Sequence, residues 1–426
     1  MQRKSKTFTL RQPGKWISKA LHWARGFEHH AYFAPNGHEY RHGPFLHLLG
    51  AGTIETLQHD TSAFAHLDHY LSHTDDWLMG YMSYDLKNET EKLQSDNPDH
   101  LQAPLLYFFR PEHILRFEAT EVHIESTREP DLIYEEITHT SFDESRLRPT
   151  LPALHQRVSH KAYLQTIDRL REHIEEGDCY EINYCMEFYA DAYRADIPQL
   201  HQKLNALSPM PFSTSMKLSD WHILSASPER FLKKAGDLLI SQPIKGTRKR
   251  GQTLAQDEAL KQELRNSEKE RAENMMIVDL VRNDLARTCV PGTVTVEELF
   301  GIYTFRQVHQ MISTITGRLA KDKTAVEAIK AAFPMGSMTG APKVKVMQLT
   351  EHYEQSRRGI FSGAAGYFMP GGDFDFNVII RTLLYNARTQ ALSFHVGGAI
   401  TWDSNPQEEY EEALLKAKAL METLGL

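Results

Sequence analysis

Residues 361–402 read "FSGAAGYFMPGGDFDFNVIIRTLLYNARTQALSFHVGGAITW". Three apolar runs are separated by two turn signals, "PGGD" and "NARTQ". Gly-Gly-Asp between apolar runs is a hairpin signal, because glycine enters the positive-φ conformations of tight turns without steric cost. The spacing predicts a three-stranded antiparallel meander over 361–402. Outward from it, other periods take over. Residues 407–424 predict a closing helix. Upstream, Ser159 is placed to cap a helix in which Tyr163, Ile167, Leu170 and Ile174 share one face, and Gly177 ends it. "CYEINYCMEFYA" (179–190) predicts a strand. Residues 261–288 predict a helix that aligns Met276, Leu280 and Asp284.

The whole chain has 426 residues, enough for a large core and two or more units. Its net charge is −8. A mildly acidic chain lacks the broad positive field that phosphate backbones require, which argues against nucleic acid as a partner. The three cysteines, Cys179, Cys185 and Cys289, form no C-x-x-C and point to reduced thiols in a cytoplasmic protein. The basic N-terminus has no apolar run behind it, and no stretch approaches the roughly 18 apolar residues of a membrane span. Fourteen of the 22 histidines precede residue 150. Without a metal-ligand spacing they are expected to be solvated. The first ~140 residues mix short apolar segments with turns. "DESRLRPTLPALHQ" (143–156) carries two prolines and predicts a boundary, dividing the chain into an N-terminal subdomain (1–145) and a larger domain (150–426).

Several residues are costly if merely structural. Arg381 sits in the apolar run "NVIIRTLLY", where a buried guanidinium needs a partner, either a salt bridge or a carboxylate ligand. Gly397 and Gly398 interrupt a strand, which marks a bulge or a close approach to the backbone. Glu270 and Glu273 share one helix face, and Glu409 and Glu412 repeat the spacing. Each pair alone is an ordinary solvated face. If the two helices meet, four carboxylates converge into an oxygen-only set suited to Mg²⁺. "FPMGSMTGAPK" (333–343), with Ser337, has neither the P-loop nor the dinucleotide spacing and reads as a loop facing a small anion. "SQPIKGTRKRG" (241–251) places Lys245 and Thr247 among basic residues.

Taken in order, "GDCYEINY", "SASPERFL", "PIKGTRKRG", "SEKERAENMMIVDLVRNDLART", "VHQMISTITGRL", "AAFPMGSMTGAPKVKVM", "GAAGYF", "IIRTLL" and "VGGAITWDSNPQEEYEE" resemble the chorismate-utilising enzymes from residue 157 to the end. The resemblance implies an α+β fold, with orthogonal antiparallel β-sheets packed together, helices outside, and chorismate with Mg²⁺ in a cleft beside the sheets. "PIKGT" resembles the aminodeoxychorismate synthase component I branch, which aminates chorismate at C4. Anthranilate synthases usually carry alanine at the position of Lys245. Isochorismate and salicylate synthases use a lysine at the position of Glu181.

The resemblance also implies roles. Glu273 and Glu412 match the main Mg²⁺ ligands, with Glu270 and Glu409 beside them. Arg381 and Tyr367 match carboxylate-binding positions, helped by backbone N–H groups at Gly397 and Gly398, with Thr247 and Ser337 also facing substrate. Glu229 in "SPERF" matches a general acid, whose pKa burial must raise. Lys245 is expected to attack C2 as the C4 hydroxyl leaves, and for this it must be neutral, with its pKa lowered by a dry, Mg²⁺-lined pocket. Arg248, Lys249 and Arg250 are expected to be solvated.

The chain departs from the family pattern at Gln310, which stands where histidine is common, at Ala399 for glycine, and at Glu181 for glutamine. No G-x-C-x-G elbow is present, so ammonia is expected from a separate glutaminase subunit. The expected product feeds 4-aminobenzoate and folate synthesis. An anthranilate synthase large subunit and a silent regulatory scaffold are the competing readings.

Overall fold

In the computed structural model, which describes residues 3–141 and 151–426, the 361–402 stretch does not stay in one sheet. Ala364–Phe368 and Phe374–Val378 pair as one hairpin, and Thr382–Asn386 and Ala391–Ile400 as another. The first hairpin belongs to a 10-stranded sheet and the second to a 12-stranded sheet. The expected meander of three strands is therefore four strands in two sheets. The chain crosses between sheets at residues 379–381, where Arg381 takes a φ of +54°. Residues 374–379 are all buried, so one long apolar run conceals the end of one strand and the approach to the next.

All the pairings are antiparallel, and helices cover the sheets, so the fold is α+β as expected. The boundary expected near 145–150 lies outside the described residues. On either side of it the chain builds the same two sheets. In the larger sheet, Lys4–Thr9, Glu121–Ser126, His113–Phe117, Leu48–Ala51 and His29–Ala34 run directly into Phe212–Leu218. In the smaller sheet, Leu78–Met82 pairs with Ala364–Phe368. The first 140 residues thus complete both sheets. One large apolar core lies between the sheets. A second lies between the larger sheet and the helices Pro13–Ala24 and Pro130–His139.

The helices follow local rules. Ser159 Oγ accepts from Ala162 N at the start of His160–Glu175, as its N-cap position predicts. The helix expected over 261–288 is two helices, Leu254–Asn266 and Glu268–Ala286. Ser267 ends the first and caps the second by accepting from Glu270 N. Among the described residues no helix is long and apolar enough to cross a membrane.

One buried cation ties a strand of the larger sheet to a neighbouring loop. Arg358 is 2% exposed and bonds Glu354 (2.7 Å), Met338 O (2.7 Å) and Asn183 O (2.8 Å), with its guanidinium over the Tyr84 ring. Glu354 in turn accepts from Cys185 N. This ties the strand Glu181–Ala190 to the 335–339 loop. Arg358→Met is expected to leave Glu354 buried without its cation and to lower stability by about 3–5 kcal/mol. Denaturant unfolding reads this as a lower midpoint with an unchanged m-value.

Candidate active site

Lys245 lies on Ile244–Lys249, an edge of the smaller sheet. The register against Val308–Arg318 breaks between Ile244 and Thr247, so Lys245 and Gly246 form a bulge. Gly246 has φ +91°, and a Cβ there would stand 2.9 Å from Glu270 Oε2. The bulge lets Lys245 leave the sheet's regular alternation. Its side chain is buried, and Nζ donates to Glu181 Oε1 at 2.5 Å. Glu181 opens the strand Glu181–Ala190 of the larger sheet, so this bond spans the two sheets. The other oxygen, Glu181 Oε2, is buried without a hydrogen-bond partner among the described residues.

The charge state of Lys245 differs from expectation. Burial pushes the ammonium down, but Glu181, Glu273 and Glu229 outweigh it and hold the pKa above the ordinary lysine value. The resting amine is therefore a cation paired with Glu181. Burial pushes the Glu229 carboxyl up to about 7, against the opposing pull of Ser337, Lys245 and Ile244 N. Ser337 is buried, and its Oγ forms no well-shaped hydrogen bond. Its carbonyl accepts from Asn183 Nδ2 at 3.0 Å.

The two glutamate pairs are joined through a cation. Lys269 Nζ lies 4.0 Å from Glu273 Oε1 on its own helix and 4.0 Å from Glu409 Oε1 on Pro406–Leu424. Burial, then Glu181 and Glu270, raise the Glu273 carboxyl to about 7 despite Lys245. Burial also raises Glu409, whose Oε1 accepts from Ser404 Oγ. Lys416, 2.7 Å away, lowers Glu412. The carboxylates do not close into a finished cage, since Arg248 holds Glu270 at 2.7 Å and Lys416 holds Glu412. Even so, the donors are all oxygen, they come from two helices, and an ammonium already bridges one member of each pair. The set fits a hard divalent cation such as Mg²⁺.

Arg381 is half-buried. Its guanidinium has no hydrogen bond or ion pair with any described residue, and only Glu412 exerts a favourable charge on it, while burial lowers its pKa. A guanidinium in that setting is a site for an anion. Gly397 and Gly398 keep regular register with Cys185 and Tyr184, so neither is a bulge. A Cβ on Gly397 would fall 2.0 Å from Tyr184 O, and one on Gly398 would point at Glu409 Oε2 (3.3 Å) and Lys416 Nζ (3.4 Å). These glycines let the strand lie close against its neighbour and against the carboxylate helix.

Other expectations need correction. Tyr367 does not reach the site. Its ring packs against Phe33, Phe45 and Trp77 in the core, and its hydroxyl accepts from Leu46 N. Strand alternation puts Tyr367 on the core face of the smaller sheet. Two of the three basic residues after Thr247 are engaged rather than solvated. Arg248 bonds Glu263 and Glu270, and Arg250 bonds Asp257 and Phe305 O. His309 is buried between Asp257 and Thr304. Gln310, opposite Thr247 in register, is buried with its Oε1 unpartnered. Lys269 and Lys416 were not anticipated as members of the site, and Glu181 was noted only as a departure from the family pattern. Glu181 had a readable signal: with Asn183, Cys185 and Glu187 it makes a polar alternation in an otherwise apolar strand.

Comparison with known proteins identifies the family. A sequence profile of the chorismate binding enzymes matches residues 28–422. The chain belongs to this family. Within it, the chain is 34% identical over 371 residues to an anthranilate synthase component I-like protein of Synechocystis sp., covering 86% of this chain and 76% of the relative. It is 44% identical over 278 residues to an aminodeoxychorismate synthase of Streptomyces pristinaespiralis, covering 64% of this chain and 38% of that longer protein. It is 32% identical over 363 residues to aminodeoxychorismate synthase component 1 of Bacillus subtilis, covering 82% and 77%. The crystal structure of anthranilate synthase component I from Streptococcus pneumoniae superposes with a TM-score of 0.78 at 23% identity, over 90% of this chain and 93% of that one. That likeness shows the family's fold.

Proposed function

We propose that this chain aminates chorismate at C4 to give 4-amino-4-deoxychorismate, as the large component of an aminodeoxychorismate synthase. What supports the reading is Lys245: a buried amine, turned off its strand by a bulge, beside a gathered carboxylate set. Arg381 is the ready partner for a substrate carboxylate. Ser337, Thr247 and the backbone at Gly397 and Gly398 line the approach. Glu273 and Glu412, with Glu270 and Glu409 beside them, would hold Mg²⁺. Bound there, the ion would offset carboxylate charge on the substrate and help orient it.

The chain's own groups then move the protons. Lys245 gives a proton to Glu181, its bonded neighbour, and Nζ attacks C2 of the ring. The C4–O bond breaks as Glu229 protonates the departing hydroxyl, which leaves as water. Ammonia adds at C4, the C2–Nζ bond breaks, and its electron pair returns to Nζ. Glu229 recovers a proton from the new C4 ammonium, and Glu181 returns its proton to Lys245. Ammonia is supplied by a separate glutaminase subunit, and a different enzyme releases 4-aminobenzoate from the product.

Product identification with chorismate, Mg²⁺ and ammonium tests the reading. The expected product needs an added lyase to yield 4-aminobenzoate. Direct release of fluorescent anthranilate would overturn it in favour of amination at C2. A pH prediction also follows. Glu229 donates only while protonated, so kcat is expected to fall as pH rises through about 7. Initial rates between about pH 6 and 9 should show that basic limb, and Glu229→Gln, which has no proton to lose, should lack it.

A further inference from the structure

The histidines absent from the reaction are not all solvated, and three of them build a second polar site. His30, Lys217 and His222 stand in one row across neighbouring strands of the larger sheet, His30 opposite Lys217 and Lys217 opposite His222. Residues directly opposite on adjacent strands share a face. His201, on the helix Ile197–Leu207, reaches the same face, with its ring 5.9 Å from that of Tyr32, two residues along from His30. Arg25 ends the helix Pro13–Ala24 on the other side. His30 senses all four of these neighbours. The row therefore lies along the seam between two helical layers, one over the second core and one over the catalytic half of the sheet.

This seam is rich in donors and poor in acceptors. Lys217 Nζ donates to Phe27 O at 2.9 Å, and Arg25 contacts the His22 ring. Neither cation has a carboxylate within ion-pair distance among the described residues. Of the nearby carboxylates, Asp196 caps a helix by accepting from Gln199 N and acts on the exposed Arg25 from a distance, Asp220 pairs with Arg388, and Glu28 is exposed. The Nδ1 atoms of His30 and His222 are buried without hydrogen-bond partners among the described residues. Burial and the surrounding positive groups hold all three imidazoles neutral, His30 at about 3 and His201 and His222 at about 4. A buried ring nitrogen left unpaired is costly unless something supplies its partner, and Lys217 beside it has no carboxylate of its own among the described residues.

We propose that this seam binds a small phosphate-type dianion between Arg25, His30, His201, Lys217 and His222. Such a dianion would offset both fixed cations, accept from them in charge-assisted bonds, and give the imidazoles an acceptor to donate to. It would also link the end of the N-terminal helix to the helix Ile197–Leu207 across the larger sheet.

Thermal melting of the full chain tests this, with millimolar inorganic phosphate compared against sodium chloride of equal ionic strength. Phosphate is expected to raise Tm by about 2–4 °C near saturation. The rise should persist in Arg381→Met, which removes the candidate anion position in the active site, and should vanish in Lys217→Met and Arg25→Gln. A full response in Lys217→Met, an equal response to chloride, or loss of the response in Arg381→Met would each overturn the proposal. Should a variant fold poorly, the unsubstituted chain still decides: phosphate should move the imidazole resonances of His30 and His222, and unmoved resonances would overturn it. Glycerol 3-phosphate in a parallel arm distinguishes a metabolite's phosphoryl group, which would bind more tightly than phosphate, from free phosphate, which would bind at least as well.

Discussion

Lys245→Ala is expected to reduce C4 amination by about 10⁴-fold while leaving chorismate binding nearly intact, because the amine acts by forming a bond rather than by holding the substrate. Two features of the structure make this the most damaging single change. Nζ is buried against Glu181 at 2.5 Å, so no solvent group stands ready to replace it. The bulge at Lys245 and Gly246 aims this one side chain, and the following residues, Thr247 and Lys249, return to the ladder against Gln310 and Val308. Steady-state rates with ammonium, coupled to a lyase, measure kcat, and chorismate titration of the variant measures binding. Intact-mass analysis of the wild-type enzyme with chorismate and no ammonia should find an adduct on Lys245. Undiminished amination by the alanine variant would remove the nucleophile from the mechanism. Loss of binding in step with rate would make Lys245 a contact rather than a reactant.

Arg381→Met is expected to act on the other parameter. A guanidinium with no hydrogen bond or ion pair among the described residues keeps its hydrogen-bonding capacity for a ligand. Truncating one side of a desolvated charge pair costs roughly 2–5 kcal/mol, or about 30- to 5,000-fold in affinity. The KM for chorismate should therefore rise steeply, while the kcat extrapolated to saturation falls much less. Arg381→Lys should recover only part of the loss, because a point charge does not reproduce the fork geometry. An unchanged KM in Arg381→Met would mean that the substrate's carboxylates lie elsewhere.

The elements of the site were readable to different degrees, for separable reasons. Ser159 and Gly177 bound their helix in the sequence because capping is chemistry between near neighbours. The i, i+3 glutamate pairs were visible for the same reason, since helical period alone puts them on one face. Glu229 was placed correctly as a buried carboxyl. Tyr367 was placed wrongly, because a tyrosine in an apolar strand reads alike whether its hydroxyl meets a ligand or, as here, Leu46 N. The basic run after Thr247 looked like surface charge until Glu263, Glu270 and Asp257 folded onto it.

The sequence by itself determined the start and stop of the helix His160–Glu175, the turn of the first hairpin, the membership of the family, and which lysine, arginine and glutamates carry the proposed chemistry. Those are properties of local period and residue chemistry. Only the tertiary structure decided that the chain changes sheets at Arg381, that the first 140 residues complete both sheets, and that Lys245 rests as a cation on Glu181. Each of these depends on contacts between residues far apart in the chain. The last is set by a balance between burial, which disfavours the ammonium, and three carboxylates brought from three separate segments, which favour it.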